Sequence, residues 1–92
     1  MAGIISYGLH DSPNLKIVPV ISSFDGSGRM IPLYVRIHGE ALKILHAYEY
    51  ESTYNLLRFR CEIIDYGIVK HIKLTYHVSY HTWSIPIWFF NN

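Results

Sequence analysis

Six histidines in 92 residues are the first place to look for metal or proton chemistry. His71, His77 and His81 share one parity on a predicted strand and are expected on its outward face. Residues four apart on a strand are separated by roughly 13 Å and six apart by roughly 20 Å. Zinc ligands, in contrast, sit about 2 Å from the ion, so only a cross-strand or intersubunit arrangement would bring these rings to one metal, and no metal site is expected. His46 falls on the predicted inner face between Ile44 and Tyr48, with Leu33 and Cys61 opposite. That placement predicts a core or rim histidine satisfied by tyrosine or backbone rather than a catalytic one. Cys61, the single cysteine, is predicted buried and therefore inert. No Gly-x-Ser-x-Gly elbow accompanies it. The carboxylates Asp11, Asp25, Glu40 and Asp65 all lie in turn-forming sequence, where they accept backbone hydrogen bonds. No catalytic residue and no cofactor are expected, and the chain is read as a non-enzyme.

Binding chemistry has three sources. The loop Asp25-Gly26-Ser27-Gly28-Arg29 lacks the Gly-Lys-Ser/Thr ending of a P-loop and the repeated acidic ligands of an EF-hand. It is read as a strand connection with Arg29 exposed, its glycines supplying positive φ. Arg36, Lys43, Arg58, Arg60 and Lys73 are expected on one outward sheet face, the footprint of a weak nucleic-acid-binding module. Glu49 opposite Arg58 and Glu62 opposite His71 are expected to offset much of that charge. Finally, Trp83, Ile85, Ile87 and Phe89 alternate with Ser84, Pro86, Trp88 and Phe90. One small sheet does not hide both faces of such a strand, so Trp83, Trp88, Phe89 and Phe90 are the expected protein interface. The partner is a second copy or another protein; nucleic acid is the alternative.

The elements that must position these groups follow from alternation, since a strand sends successive side chains to opposite faces. Ile31, Leu33, Val35 and Ile37 alternate with Met30, Pro32, Tyr34, Arg36 and His38. After a turn at Gly39-Glu40, Leu42, Ile44, His46, Tyr48 and Tyr50 take the apolar face. The expected partners are Ile37 with Leu42, Val35 with Ile44, Arg36 with Lys43, and Ile31 with Tyr48. A hairpin over Ser52 to Asn55 then sets Tyr48 against Phe59, His46 against Cys61 and Ile44 against Ile63. A turn at Tyr66-Gly67 matches Leu57 with Tyr76, Phe59 with Leu74, Cys61 with Ile72 and Arg60 with Lys73. A His81-Thr82 turn returns residues 83 to 90 along the preceding strand, with Pro86 marking an edge. Upstream, residues 16 to 22 read as a strand in which Pro19 marks an edge or bulge, and residues 1 to 15 as a flexible arm or edge strand.

This predicts an all-β chain, an antiparallel meander curled into a small SH3-like or OB-like barrel over residues 16 to 92. Half of the residues are hydrophobic, 16% are charged and net charge is +1, which excludes disorder and strong general attraction to polyanions or anionic lipid. The first ten residues have no basic n-region and no apolar run reaches the roughly 20 residues of a membrane span, so a cytoplasmic protein without a membrane partner is expected.

Phe24-Asp25, Gly28, Pro32-Leu33, Gly39 and Ile44, then Phe59-Arg60-Cys61-Glu62-Ile63, Leu74-Thr75-Tyr76 and Trp83-Ser84-Ile85 together resemble a group of small bacterial proteins of SH3-like barrel type without an assigned activity. The resemblance covers residues 16 to 85 and departs at residues 48 to 55 and at Ser84. It implies the fold and no particular activity.

Overall fold

The computed structural model describes residues 14–87 and residue 89. Its strands are β1 (Leu15–Val18), β2 (Val20–Phe24), β3 (Met30–Ile37), β4 (Glu40–Ser52), β5 (Leu56–Asp65), β6 (Ile68–His77) and β7 (Thr82–Pro86). They form one antiparallel sheet of seven strands in the order β1-β7-β6-β5-β4-β3-β2. The two edge strands are consecutive in sequence, and the curl of the sheet into a half-barrel follows from that. The expected single strand from Lys16 to Ser22 breaks at Pro19, which has no N–H to give a ladder. Its first half pairs with β7 and its second with β3, while the Pro19 carbonyl accepts from Arg36 N–H at 3.0 Å. No helix among the described residues is long and apolar enough to cross a membrane.

The concave face holds the core: Val18, Val35, Ile37, Leu42, Ile44, Phe59, Cys61, Ile63, Ile72, Leu74, Trp83 and Ile85. The β5–β6 hairpin follows the sequence expectation rung for rung, from Leu56↔His77 to Asp65↔Ile68. Its turn residues Tyr66 and Gly67 have φ of 53° and 77°, the paired positive values of a type I′ turn, whose twist suits antiparallel strands.

The β3–β4 hairpin differs. Its turn is His38-Gly39, again with two positive φ values, 53° and 79°, rather than Gly39-Glu40. The partners become Val35↔Leu42, Arg36↔Ala41 and Tyr34↔Lys43. Arg36 and Lys43 are therefore not opposed. Shifting by two residues preserves the faces, so Val35, Ile37, Leu42 and Ile44 remain inside.

Bulges correct the rest. A bulge adds one unpaired residue and so inverts the face of everything beyond it. Leu33 is the extra residue of β3, between Ile21↔Tyr34 and Ser22↔Pro32; Pro32 is buried and Leu33 is 37% exposed, the reverse of the expected order. Leu45 is the extra residue of β4, between Ile44↔Ile63 and His46↔Glu62, and Tyr50 is a second, between Glu49↔Phe59 and Glu51↔Arg58. Consequently His46 and Tyr48 point outward, not into the core, and Glu51 rather than Glu49 meets Arg58. The last turn spans residues 78 to 81. There the Tyr80 and His81 N–H groups donate to the His77 carbonyl at 3.1 and 2.9 Å.

Candidate interaction surface

The convex face is organised in cross-strand rows. One begins with the exposed pair Ile21↔Tyr34, passes Tyr34↔Lys43 and, one rung beyond Ile44↔Ile63, reaches Ile64↔Val69. Ile21 is 62% exposed and Val69 51%; Tyr34 and Ile64 are also exposed, as are the bulge residues Leu33 and Leu45. Five strands at about 4.8 Å spacing make this row roughly 19 Å wide. A single exposed aliphatic is ordinary, but a contiguous row is a mark of contact with another surface.

The next row is His46↔Glu62↔His71. Glu62 lies 3.2 Å from His71 Nε2 and 4.0 Å from His46 Nε2. The two rings thus share one carboxylate, and no group of three or more metal-ligating side chains forms among the described residues. Beside it runs Tyr48↔Arg60↔Lys73, with the Arg60 guanidinium 4.8 Å from the centre of the Tyr50 ring. The Leu45 bulge thus brings Tyr48, expected on the inner face, out beside these basic residues. The following row opens with Arg58 and Glu51, 3.6 Å apart, and continues through Thr75 to Ser84. Of the five expected basic residues, Arg58 is therefore ion-paired, whereas Arg36, Lys43, Arg60 and Lys73 have no carboxylate within 4 Å among the described residues. They do not form one tight cluster. Arg60 and Lys73 are direct neighbours, and Arg36 and Lys43 lie on β3 and β4.

The expected aromatic interface is placed differently. Trp83 is buried at 7% exposure, its ring centroid 5.0 Å from that of Tyr76 and 5.7 Å from that of Phe59, so it presents no surface. Phe89 packs partly buried against the core. Trp88 and Phe90, like residues 1 to 13 of the arm or edge strand expected over residues 1 to 15, lie outside the described residues.

Two polar groups of the outward parity are nevertheless buried, which alternation does not reveal. His77, expected outward with His71 and His81, is 4% exposed, and Ser84 is fully buried. His77 Nε2 and Ser84 Oγ are 2.7 Å apart, a buried hydrogen bond that satisfies both where β6 meets β7. Serine at position 84 supplies the hydroxyl that meets this histidine. Cys61 is buried as expected, and burial pushes its thiol up to about 12, which removes it from nucleophilic chemistry near neutral pH. Asp25 organises its loop: one carboxylate oxygen accepts from Ser27 N–H, Ser27 hydroxyl and Arg29 N–H at 2.9, 2.8 and 2.9 Å. The Arg29 backbone N–H, then the Ser27 hydroxyl, hold the carboxyl below its ordinary value. The loop is thereby a built turn that uses its own anion.

No family model, curated protein or solved structure matches the chain, so of the resemblance to a bacterial group only the all-β, half-barrel architecture is supported.

Proposed function

We propose that this chain is a non-enzymatic β-domain that works by protein contact, and that a second copy covers the row from Ile21 and Tyr34 to Ile64 and Val69. The observation that supports this reading is the run of exposed apolar side chains on β2, β3, β5 and β6 to either side of Lys43, with the exposed bulge residue Leu45 on β4, where a solvated sheet face carries polar ones. Each apolar residue covered contributes at roughly 25 cal/mol per Å², and Lys43, snorkelling at the centre, keeps its charge in solvent. The single buried thiol suits a reducing compartment such as the cytoplasm. Sedimentation velocity tests the proposal. The intact chain at about 100 µM, where micromolar association is populated, is expected at twice its 10.7 kDa mass. Ile21→Ser with Val69→Ser returns it to the monomer with an unchanged far-ultraviolet circular dichroism spectrum. A wild-type chain that stays monomeric overturns it.

A second reading has its own observation. Tyr48 offers a stacking surface beside Arg60 and Lys73, and two cations directly opposed on neighbouring strands cost stability until an anion neutralises them. Single-stranded nucleic acid supplies both the base and the phosphate. This reading requires salt-dependent binding of a short oligonucleotide, with a log–log slope of about −0.7 per phosphate, and loss of that binding in Arg60→Ala with Lys73→Ala. Absence of binding at low salt removes it.

A further inference from the structure

Two adjacent rows of the convex face form one block of side chains. Two residues along each strand from His46↔Glu62↔His71 comes Tyr48↔Arg60↔Lys73, which sets the rows roughly 7 Å apart on the same face. Both bulges of β4 fall outside this stretch and β5–β6 has none, so regular pairing fixes the block. The His46 and His71 side chains are 80% and 75% exposed, free to take up protons from solvent. Histidine is the side chain whose charge changes between about pH 5 and pH 8. With both rings neutral, Arg60 and Lys73 against Glu62 leave the block one net positive charge; with both protonated it carries three. Glu62 lies 3.2 Å from His71 Nε2 and 4.0 Å from His46 Nε2. Protonated rings therefore take up the carboxylate that otherwise offsets Arg60 and Lys73.

The surrounding charges do not reverse this sign. On β4 the nearest are Lys43 and, past the Tyr50 bulge, Glu51, which is engaged with Arg58 of β5 at 3.6 Å. Glu49, opposite the buried Phe59, takes the other face. On β6, Lys70 is held by Asp65 at 2.9 Å. β3 pairs with β4 only as far as Tyr34↔Lys43, and β7 with β6 only at Thr75, Tyr76 and His77, so neither lays a charged residue beside the two rings among the described residues.

Building on the nucleic-acid reading of this face, we infer that single-stranded nucleic acid binds the block in a proton-linked way. A base stacks on Tyr48, Arg60 and Lys73 hold the phosphate, and protonation of His46 and His71 strengthens the complex. The linkage runs in one direction. A phosphodiester keeps its single negative charge across this pH range, so only the protein's charge changes, and it changes toward the ligand's opposite sign.

The test is fluorescence anisotropy of a rhodamine-labelled short oligothymidylate, whose bases and phosphates do not titrate in this range, against the full chain at low and constant ionic strength, at about pH 8 and about pH 5.5. The expected result is roughly tenfold tighter binding in acid, the order that two exposed charges a few ångströms from a phosphate contribute in water. His46→Gln with His71→Gln should keep the alkaline affinity and lose the gain, with an unchanged far-ultraviolet circular dichroism spectrum because both side chains are exposed. Glu62→Gln should tighten binding already at the higher pH, since it removes the internal carboxylate. No binding at either pH overturns the nucleic-acid reading and this inference together. Equal affinity at the two pH values, or an acid gain that survives in the double histidine variant, overturns the inference alone and leaves that reading standing.

Discussion

The β5–β6 hairpin and β4 are neighbouring strands with similar alternation, yet they behave differently. In β5–β6 ten rungs run without interruption, and every apolar residue of the inward parity from Phe59 to Ile63 is buried. In β4 the same alternation is interrupted twice, at Leu45 and Tyr50, and the residues between change sides. The difference lies in what each strand must do. β5 and β6 stay on one side of the curled sheet, whereas β4 carries it from the β2–β3 side to the β5–β6 side. A bulge bends and twists a strand at such a corner. Regularity gave the core, and irregularity altered the surface: Tyr48 beside Arg60 and the exposed Leu45 both come from the bulged strand.

The largest expected effect that sharpens this contrast is in the regular region. Phe59→Ala removes a 3% exposed ring that stacks on Trp83, and should lower unfolding free energy by about 3–5 kcal/mol in denaturant titration. Gly67→Ala comes next. Its φ of 77° is strained for a residue with a Cβ, and since nothing lies within 4 Å of the added atom the loss is backbone strain alone, about 1–2 kcal/mol. Tyr48→Ser breaks the comparison if the bulge is misplaced. An outward Tyr48 that is 67% exposed predicts a change within about 0.5 kcal/mol, whereas a Tyr48 packed on Phe59 would cost several times that. The smallest effect belongs to Asp25. A carboxyl held below its ordinary value stabilises the fold above its unfolded pKa, and that stabilisation is lost as pH falls through the folded value. The Asp25 carboxyl should therefore titrate below 3.8 in an NMR pH series, and Asp25→Asn should flatten the acid limb of stability only slightly.

Much of the fold was legible because turn chemistry and alternation agreed. Tyr66-Gly67 fixes Asp65↔Ile68, and every rung of that hairpin follows. Pro19 was legible as a mark of an edge or bulge, but the split of the expected strand into two that pair at opposite ends of the sheet was not. The bulges were harder to read. Leu33 fits the inner parity of β3, where an unbulged strand also wants an apolar residue, and only Pro32, which gives no ladder hydrogen bond, marks that stretch as irregular; in β4 the sign was Leu45 with Ala47, two apolar residues on the outer parity. The buried His77 was hidden for another reason. Parity says which face a side chain takes and not whether that face is covered. The four basic residues without a carboxylate were named correctly as outward, but their aromatic neighbour depended on a bulge.

Thiol labelling of Tyr48→Cys tests most directly whether β4 inverts at Leu45 and so builds the outer surface. The native Cys61 serves as the internal reference, since burial at 2% exposure and a thiol raised to about 12 keep it silent in the folded chain. The account predicts that the new thiol at position 48 reacts under native conditions at the rate of a free cysteine while Cys61 reacts only on unfolding. A thiol at position 48 as protected as Cys61 would contradict it.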